Sequence, residues 1–233
     1  GSVISFKIGN ETPSGEQYYV CMNDETTVYE VAETYIAGLL NDKTAYLDCV
    51  ILPSVATYPT IDELTVTRSD WKRPVKIVPQ SDNDWAMYKS SDESVTSSFS
   101  EYKMISPVET SLDIADQSGV MYSAWGLSAA SAVKANPTAD ELKACGLDNP
   151  YCTFEMIIDG EKTRIIFGSQ VGNVEDNFGD TFRYGMLEGR NIIYSFNEGS
   201  VYWLSFSPED VITRMTTSPY IYNVSGMKIT YGG

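Results

Sequence analysis

Residues 146–168 read GLDNPYCTFEMIIDGEKTRIIFG, and the fold turns on how this stretch is read. Gly146 stands where a helix would end, because glycine takes a positive φ without a Cβ clash. Pro150 blocks any continuation of that helix. Cys152 to Ile158 then alternates apolar and polar side chains, and so does Lys162 to Phe167. Asp159-Gly160 between two alternating runs predicts a tight hairpin. Just upstream, Thr138-Ala139-Asp140-Glu141 predicts a capping box, with Thr138 as N-cap and Glu141 at the third helical position. The stretch is thus a capped helix that stops, followed by a strand, a turn and a second strand.

Its last residues echo the start of the chain. Phe6-Lys7-Ile8-Gly9 corresponds to Ile165-Ile166-Phe167-Gly168, with the glycines 159 residues apart (168 minus 9). A polar, glycine-containing loop follows each. Tyr18-Tyr19-Val20 matches Phe182-Arg183-Tyr184, and Val28-Tyr29-Glu30-Val31 matches Ile193-Tyr194-Ser195-Phe196. Helical turns and a proline-bearing stretch come next in both copies. The terminal strand is Leu64 to Thr67 in one and Met227 to Thr230 in the other. This order predicts a duplication: residues 1–60 form the back half of a first copy and residues 61–233 a nearly complete second copy. The first copy lacks its front half, a helix and a hairpin strand. The expected fold class is α+β, with antiparallel β-meander sheets carrying one or two helices packed on one face.

The remaining elements follow from period and punctuation. Strands are expected over 3–9, 18–22, 27–31, 63–68, 74–79, 85–89, 101–105, 182–187 and 191–196. Helical turns are expected over 35–40 and 44–51, and a linker between Pro53 and Pro59. The longest helical signal runs from Ser111 to Val133, where Ile114, Met121, Trp125, Ala129 and Ala132 form an apolar stripe broken by Gly119 and Gly126. Pro208 opens a short helix through Arg214. Met227 to Tyr231 closes the chain as a strand pairing at an edge, as Glu63 to Arg68 is expected to do.

Composition removes several functions. The 233 residues are 42% hydrophobic, enough for a real core, and carry a net charge of −16 without a basic stripe. Phosphate backbones and anionic membrane surfaces are repelled, so no nucleic-acid partner is expected. There is no histidine, which rules out Ser-His-Asp and Cys-His catalysis and any histidine metal site. Cys21, Cys49, Cys145 and Cys152 form no C-x-x-C. Disulfides Cys21–Cys49 and Cys145–Cys152 are conceivable, but free thiols are the default. No window reads as a signal peptide or membrane helix, and Gly1-Ser2 reads as a cloning scar, so a leader or anchor ahead of it is expected to have been removed.

Short motifs offer candidates but no committed site. Ser131 and Lys134 form an S-x-x-K, and Ser81-Asp82-Asn83 an S-D-N. Their order is the reverse of penicillin-recognising enzymes, and Lys162-Thr163 is followed by Arg164 instead of glycine. A small-residue helix face is the plainer account, and no catalytic residue is expected. Asp82 with Asp84, and Glu175, Asp176 and Asp180, miss the spacing of a calcium loop, so no metal is expected. Glycine-rich phosphate loops are absent and no cofactor is expected. Exposed aromatics such as Tyr88, Tyr102 or Tyr184 would stack on sugars or a protein partner if they shared one face.

Tyr102-Lys103-Met104-Ile105-Ser106-Pro107, then a helix, then Ala139-Asp140-Glu141-Leu142 leading into Gly146-Leu147-Asp148-Asn149-Pro150, resembles the bacterial family called domain of unknown function 4340. The likeness covers about residues 62–200, with 3–51 similar to the tail of a preceding copy. Trp85 fits the family's lone early tryptophan, whereas Cys145 replaces its usual tyrosine. The resemblance implies no assigned activity. It implies an extracytoplasmic, cell-surface protein anchored to the membrane through an N-terminal helix, possessing protein partners and encoded beside ABC-type exporters. The expected function is a non-enzymatic interaction or scaffold module. A carbohydrate- or cell-envelope-binding module is the alternative.

Overall fold

The computed structural model describes residues 3–23, 25–81, 100–172, 180–213, 226 and 228–230. They form two antiparallel sheets with a few short helices, an α+β fold rich in strand. The chain divides into Gly1–Leu47 and Asp48–Gly233. This boundary falls earlier than the expected one at residue 60. Residues 49–52 bond to the second unit: the Ile51 and Leu52 N–H groups donate to the Leu127 carbonyl, and Ala129 N–H donates to Cys49. Ile51 and Ile61 are buried there as well.

The first unit holds β1 (Phe6–Glu11), β2 (Gln17–Met22) and β3 (Tyr29–Ala32) as a three-stranded meander. Helix α1 (Glu33–Leu40) and a 3-10 turn (Lys43–Tyr46) follow. The Asp42 side chain caps that turn by accepting from Thr44 N–H.

The second unit is a nine-stranded sheet. Its strands are β4 (Glu63–Arg68), β5 (Val75–Pro79), β6 (Tyr102–Ser106), β7 (Thr110–Ser111), β8 (Ser131–Ala135), β9 (Cys152–Ile158), β10 (Glu161–Val171), β11 (Phe182–Leu187) and β12 (Ile192–Asn197). The order is β7-β6-β5-β4-β9-β10-β11-β12-β8. Its described α-helices are α2 (Gln117–Tyr122), α3 (Ala139–Ala144) and α4 (Tyr202–Ser205). Strand alternation sends Leu64, Val66, Val75, Ile77, Phe154, Met156, Ile165 and Phe167 to one fully buried face. There the Trp203 ring of α4 stacks on Phe154 at 3.8 Å, and its Nε1 donates to the Val120 carbonyl of α2 at 3.1 Å. The opposite face is polar: Lys76 pairs with Glu63 at 2.8 Å, and Glu155 pairs with both Lys162 and Arg164.

The opening stretch folds as its residues dictate. The Thr138–Glu141 capping box starts α3, and Gly146 sits at φ +67° after it. Asp159 and Gly160 take positive φ in the hairpin joining β9 to β10, with Ile158 facing Glu161.

Other expectations fail for identifiable reasons. The apolar stripe between Ser111 and Val133 is not one helix. Only 117–122 is helical, Gly126 takes φ +80°, and 131–135 is strand β8. Small buried residues such as Ala129 and Ala132 fit a sheet as well as a helix, and the period alone misleads. The element after Ser207 is a single 3-10 turn, Pro208–Asp210. Strand β4 is central, between β5 and β9, not at an edge. Lys228 to Thr230 form no strand; Met227, Tyr231 and the expected strand at 85–89 lie outside the described residues.

The duplication has a structural counterpart in register. Phe6 pairs with Met22 and Ile8 with Val20, then a bulge at Gly9 shifts Glu11 onto Tyr18. Ile165 pairs with Leu187 and Phe167 with Gly185, then a bulge at Gly168 shifts Gln170 onto Arg183. Tyr18 therefore occupies the place of Arg183; the sequence match to Phe182 is one residue out. Irregular backbone bonds recur in step. Asn23 N–H donates to Ser5 O at 2.7 Å, and Glu188 N–H to Arg164 O at 2.9 Å. Glu33 N–H donates to Glu16 O at 3.2 Å, and Glu198 N–H to Thr181 O at 2.8 Å. Ala45 N–H donates to Asp42 O, and Asp210 N–H to Ser207 O, both at 3.0 Å. After the first loop one offset of 165 (198 minus 33) relates every pair, through α1 with α4 and the two 3-10 turns.

Candidate interaction surfaces

Equivalent positions of the two meanders have opposite fates. Ile165, Phe167, Phe196, Val201 and Leu204 form part of the second unit's core. Their counterparts are Phe6, Ile8, Val31, Ile36 and Leu39. Only Ile36 is buried; Phe6 is 55% exposed and Leu39 63%, against 0% for Ile165 and 8% for Leu204. Tyr35, next to Ile36, is 84% exposed. One substitution in the helix register explains much of this. Gly38 stands where Trp203 stands (203 minus 165), and a Cβ at Gly38 would meet nothing within 4 Å. The large ring that closes the second unit's face has no counterpart in the first. An apolar slot of about 280 Å³ remains, floored by Phe6, Ile8, Val20 and Val31 and walled by Tyr35, Ile36 and Leu39. Among the described strands β1 has a neighbour on one side alone, whereas its counterpart β10 is flanked by β9 as well.

A second surface lies in the other unit. A cleft of about 550 Å³ is lined by Trp71, Lys72, Arg73, Pro107, Pro208 and Glu209, with Asp70 and Ser207 at its margin. Trp71 is held edge-on to Phe206 at 5.3 Å and under the Arg68 guanidinium at 4.6 Å. Arg68 is itself fixed by a bidentate pair with Asp70 (3.0 and 2.6 Å) and by the Phe206 carbonyl at 2.8 Å. The Arg68 hydrogen bond holds the Asp70 carboxyl below its usual range. Lys72 and Arg73 are exposed and make no ion pair with a described residue. Trp71-Lys72-Arg73 was legible as a cationic, aromatic run in an acidic chain, and it is missing from the residues singled out by motif. Behind it, the Tyr151 ring lies under Arg183 at 4.1 Å and Arg68 at 5.6 Å. Arg183 is spent on Glu198 (2.5 Å) and the Gly168 carbonyl (2.6 Å), so it staples the sheet and does not face the cleft as a free cation.

The motif candidates do not assemble. Ser131 and Lys134 are both exposed on strand β8, with a register shift between them, and line no enclosed site. Lys134 pairs with Glu141 at 2.8 Å, holding that carboxyl down at about 2 with help from the Thr138 backbone. Ser81 is described, but Asp82, Asn83 and Asp84 lie outside the described residues, as do Tyr88, Trp85, Glu175 and Asp176. Asp180 is exposed, and no three acidic or thiol groups converge among the described residues. Tyr102 is a core residue whose hydroxyl accepts from Ile61 N–H at 3.1 Å, and Tyr184 is half-buried on β11, so they present no shared stacking face. All four cysteines are free thiols. Burial pushes Cys152 up to about 12, which leaves it protonated and unreactive at neutral pH. No described helix is long and apolar enough to cross a membrane.

Compared with protein-family models, with curated proteins and with solved structures, the chain matches none.

Proposed function

We propose that the protein is a non-enzymatic interaction module that holds a protein partner on the open face of its first unit. One observation carries this reading: of the five meander positions that make a core in the second unit, only Ile36 is buried in the first, and Phe6 and Leu39 stand in solvent. A small unit leaving Phe6, Tyr35 and Leu39 exposed together gives up burial of roughly 1.5–3 kcal/mol per large apolar side chain. Contiguous apolar surface of this kind marks interaction sites. The resemblance to the extracytoplasmic family supports a place outside the membrane, as an accessory of an ABC-type exporter. A photo-crosslinker placed at Tyr35, in the cells that make the protein, is expected to give one discrete protein adduct that Leu39→Asp abolishes. The same crosslinker at Glu155, on the polar face of the second unit, is expected to give none. Adducts of equal yield from both positions, or from neither, would overturn the reading.

The Trp71 cleft favours a second reading, a carbohydrate- or cell-envelope-binding module. It combines a fixed indole with Lys72, Arg73 and Glu209 at its rim, the mixture of stacking and polar groups that sugars require. Titration with cell-wall glycan fragments is expected to quench tryptophan fluorescence in the parent and not in Trp71→Ala. No heat and no quenching would remove this reading.

A further inference from the structure

We propose that the second unit binds a small monocarboxylate with an apolar body. Its site is a cavity between α3, the β10–β11 pair and the turn that joins β11 to β12.

The cavity holds about 380 Å³, within the range of roughly 300–1,000 Å³ usual for small-molecule sites. It lies on the face of the sheet opposite the Phe154–Trp203 core. Alternation along β10 puts Arg164 and Ile166 on this face while Ile165 and Phe167 are buried on the other. Ile166 faces Met186 across the β10–β11 pair, and the two form the floor. Leu142 of α3 and Leu147 form one wall. The helix stop at Gly146 brings them together, since Leu147 N–H donates to Leu142 O at 2.9 Å. The turn from Leu187 to Asn191, with Gly189 at φ +84°, forms the other wall.

Two guanidinium groups line this apolar space, those of Arg164 and Arg190. Arg68 and Arg183, by contrast, are spent on hydrogen bonds to carboxylates and backbone carbonyls. The Arg164 Nε is buried and donates no hydrogen bond, although Glu155 Oε1 is 3.3 Å away, and its Nη1 stands 3.5 Å from Glu188. Arg190 donates to the Val50 carbonyl at 2.5 Å and makes no ion pair with a described residue. A guanidinium presents its donors as a planar fork that matches a carboxylate. The charges around the cavity set the charge of the ligand. Arg164, Arg190 and Lys162, which also pairs with Glu155, give three positive charges against the two negative ones of Glu155 and Glu188, leaving one positive (3 minus 2). This local excess runs against the net charge of −16 on the whole chain. One carboxylate neutralises it, whereas a dianion would face Glu155 and Glu188 with a charge to spare.

The probe is octanoate, with 1-octanol and octyl phosphate as controls, titrated at millimolar concentration into the whole chain at about pH 8, where the phosphate is a dianion. Binding is followed by NMR. Octanoate is expected to shift the Ile166 and Met186 methyl signals saturably. 1-Octanol and octyl phosphate are expected to bind about tenfold or more weakly, the loss expected for a missing or opposed charge-assisted hydrogen bond. Arg164→Gln is expected to weaken octanoate by a similar factor and to leave 1-octanol unchanged, a split that a general loss of structure would not give. Leu142→Trp fills the cavity from the helix and is expected to remove binding of both. The unchanged spectrum of β4 and β9 checks that each variant is folded. Equal affinity for octanoate and 1-octanol overturns the role of the arginines. Tighter binding of octyl phosphate overturns the monocarboxylate. Octanoate shifts that survive Leu142→Trp, or that never saturate, overturn the site itself.

Discussion

Leu204 and Leu39 hold the same place in two copies of one meander, yet Leu204 is buried and Leu39 stands in solvent. The backbones around them agree in strand order, bulge position and irregular hydrogen bonds. What differs is the company each meander keeps. In the second unit β9 lies along β10, and Trp203 closes over Phe154. In the first unit no described strand lies along the outer edge of β1, and Gly38 takes the tryptophan's place. A meander is thus a carrier of backbone pairing whose apolar face is buried in one unit and largely exposed in the other. The outcome depends on the large side chains supplied by neighbouring elements.

This comparison is most sharply broken by truncating matched core positions. Phe167→Ala is expected to cost about 3–5 kcal/mol, because a fully buried aromatic leaves a cavity. Ile8→Ala at the matching half-buried position is expected to cost about 1 kcal/mol or less. Urea unfolding of both variants measures the contrast, and equal losses would mean the first unit's face is covered after all.

The two bulge glycines give a smaller contrast. A Cβ on Gly168 would lie 2.1 Å from the Cys145 carbonyl oxygen, since the chain leaving α3 passes against the sheet there. Gly168→Ala is expected to cost about 1–3 kcal/mol by overpacking. A Cβ on Gly9 would meet Tyr19 O at 3.4 Å, an ordinary contact, so Gly9→Ala is expected to stay within about 0.5 kcal/mol. Thermal melts of the pair read this directly; a costly Gly9→Ala would show that the edge of β1 is crowded.

The smallest effect concerns α3, which leads into β9 and has no counterpart among the described residues of the first unit. Lys134 and the Thr138 backbone hold Glu141 at about 2, below the usual carboxylate value of 4.5. A depressed folded-state value stabilises above the unfolded pKa and is lost as pH falls through the folded one. The contribution is therefore full above about pH 4.5 and fades toward pH 2. Glu141→Gln is expected to flatten the stability profile across that window while lowering stability slightly at pH 7. An unchanged slope would show that the exposed pair contributes nothing.

Much of this was written locally. Asp159-Gly160 fixes a hairpin because both residues tolerate positive φ, and Thr138 with Glu141 fixes a helix start because two backbone donors are satisfied reciprocally. The correspondence of β3 with β12 was also readable, since Val28 to Val31 and Ile193 to Phe196 keep the observed offset. Residues 111–133 resisted the same reading. Their apolar residues serve a helix, a loop and a strand in turn, and only contact with Trp203, Tyr202 and β12 sorts them. The Trp71 cleft was equally hidden, because its walls come from segments more than a hundred residues apart.

By itself, the sequence determined the elements whose causes lie within a few residues: alternation, turns, caps and the repeat that relates the two meanders. It also excluded histidine chemistry outright. Tertiary structure alone decided which of two matching apolar faces became a core. That decision rests on long-range packing, on β9 against β10 and Trp203 on Phe154, and on a glycine at position 38 that leaves space no local pattern records.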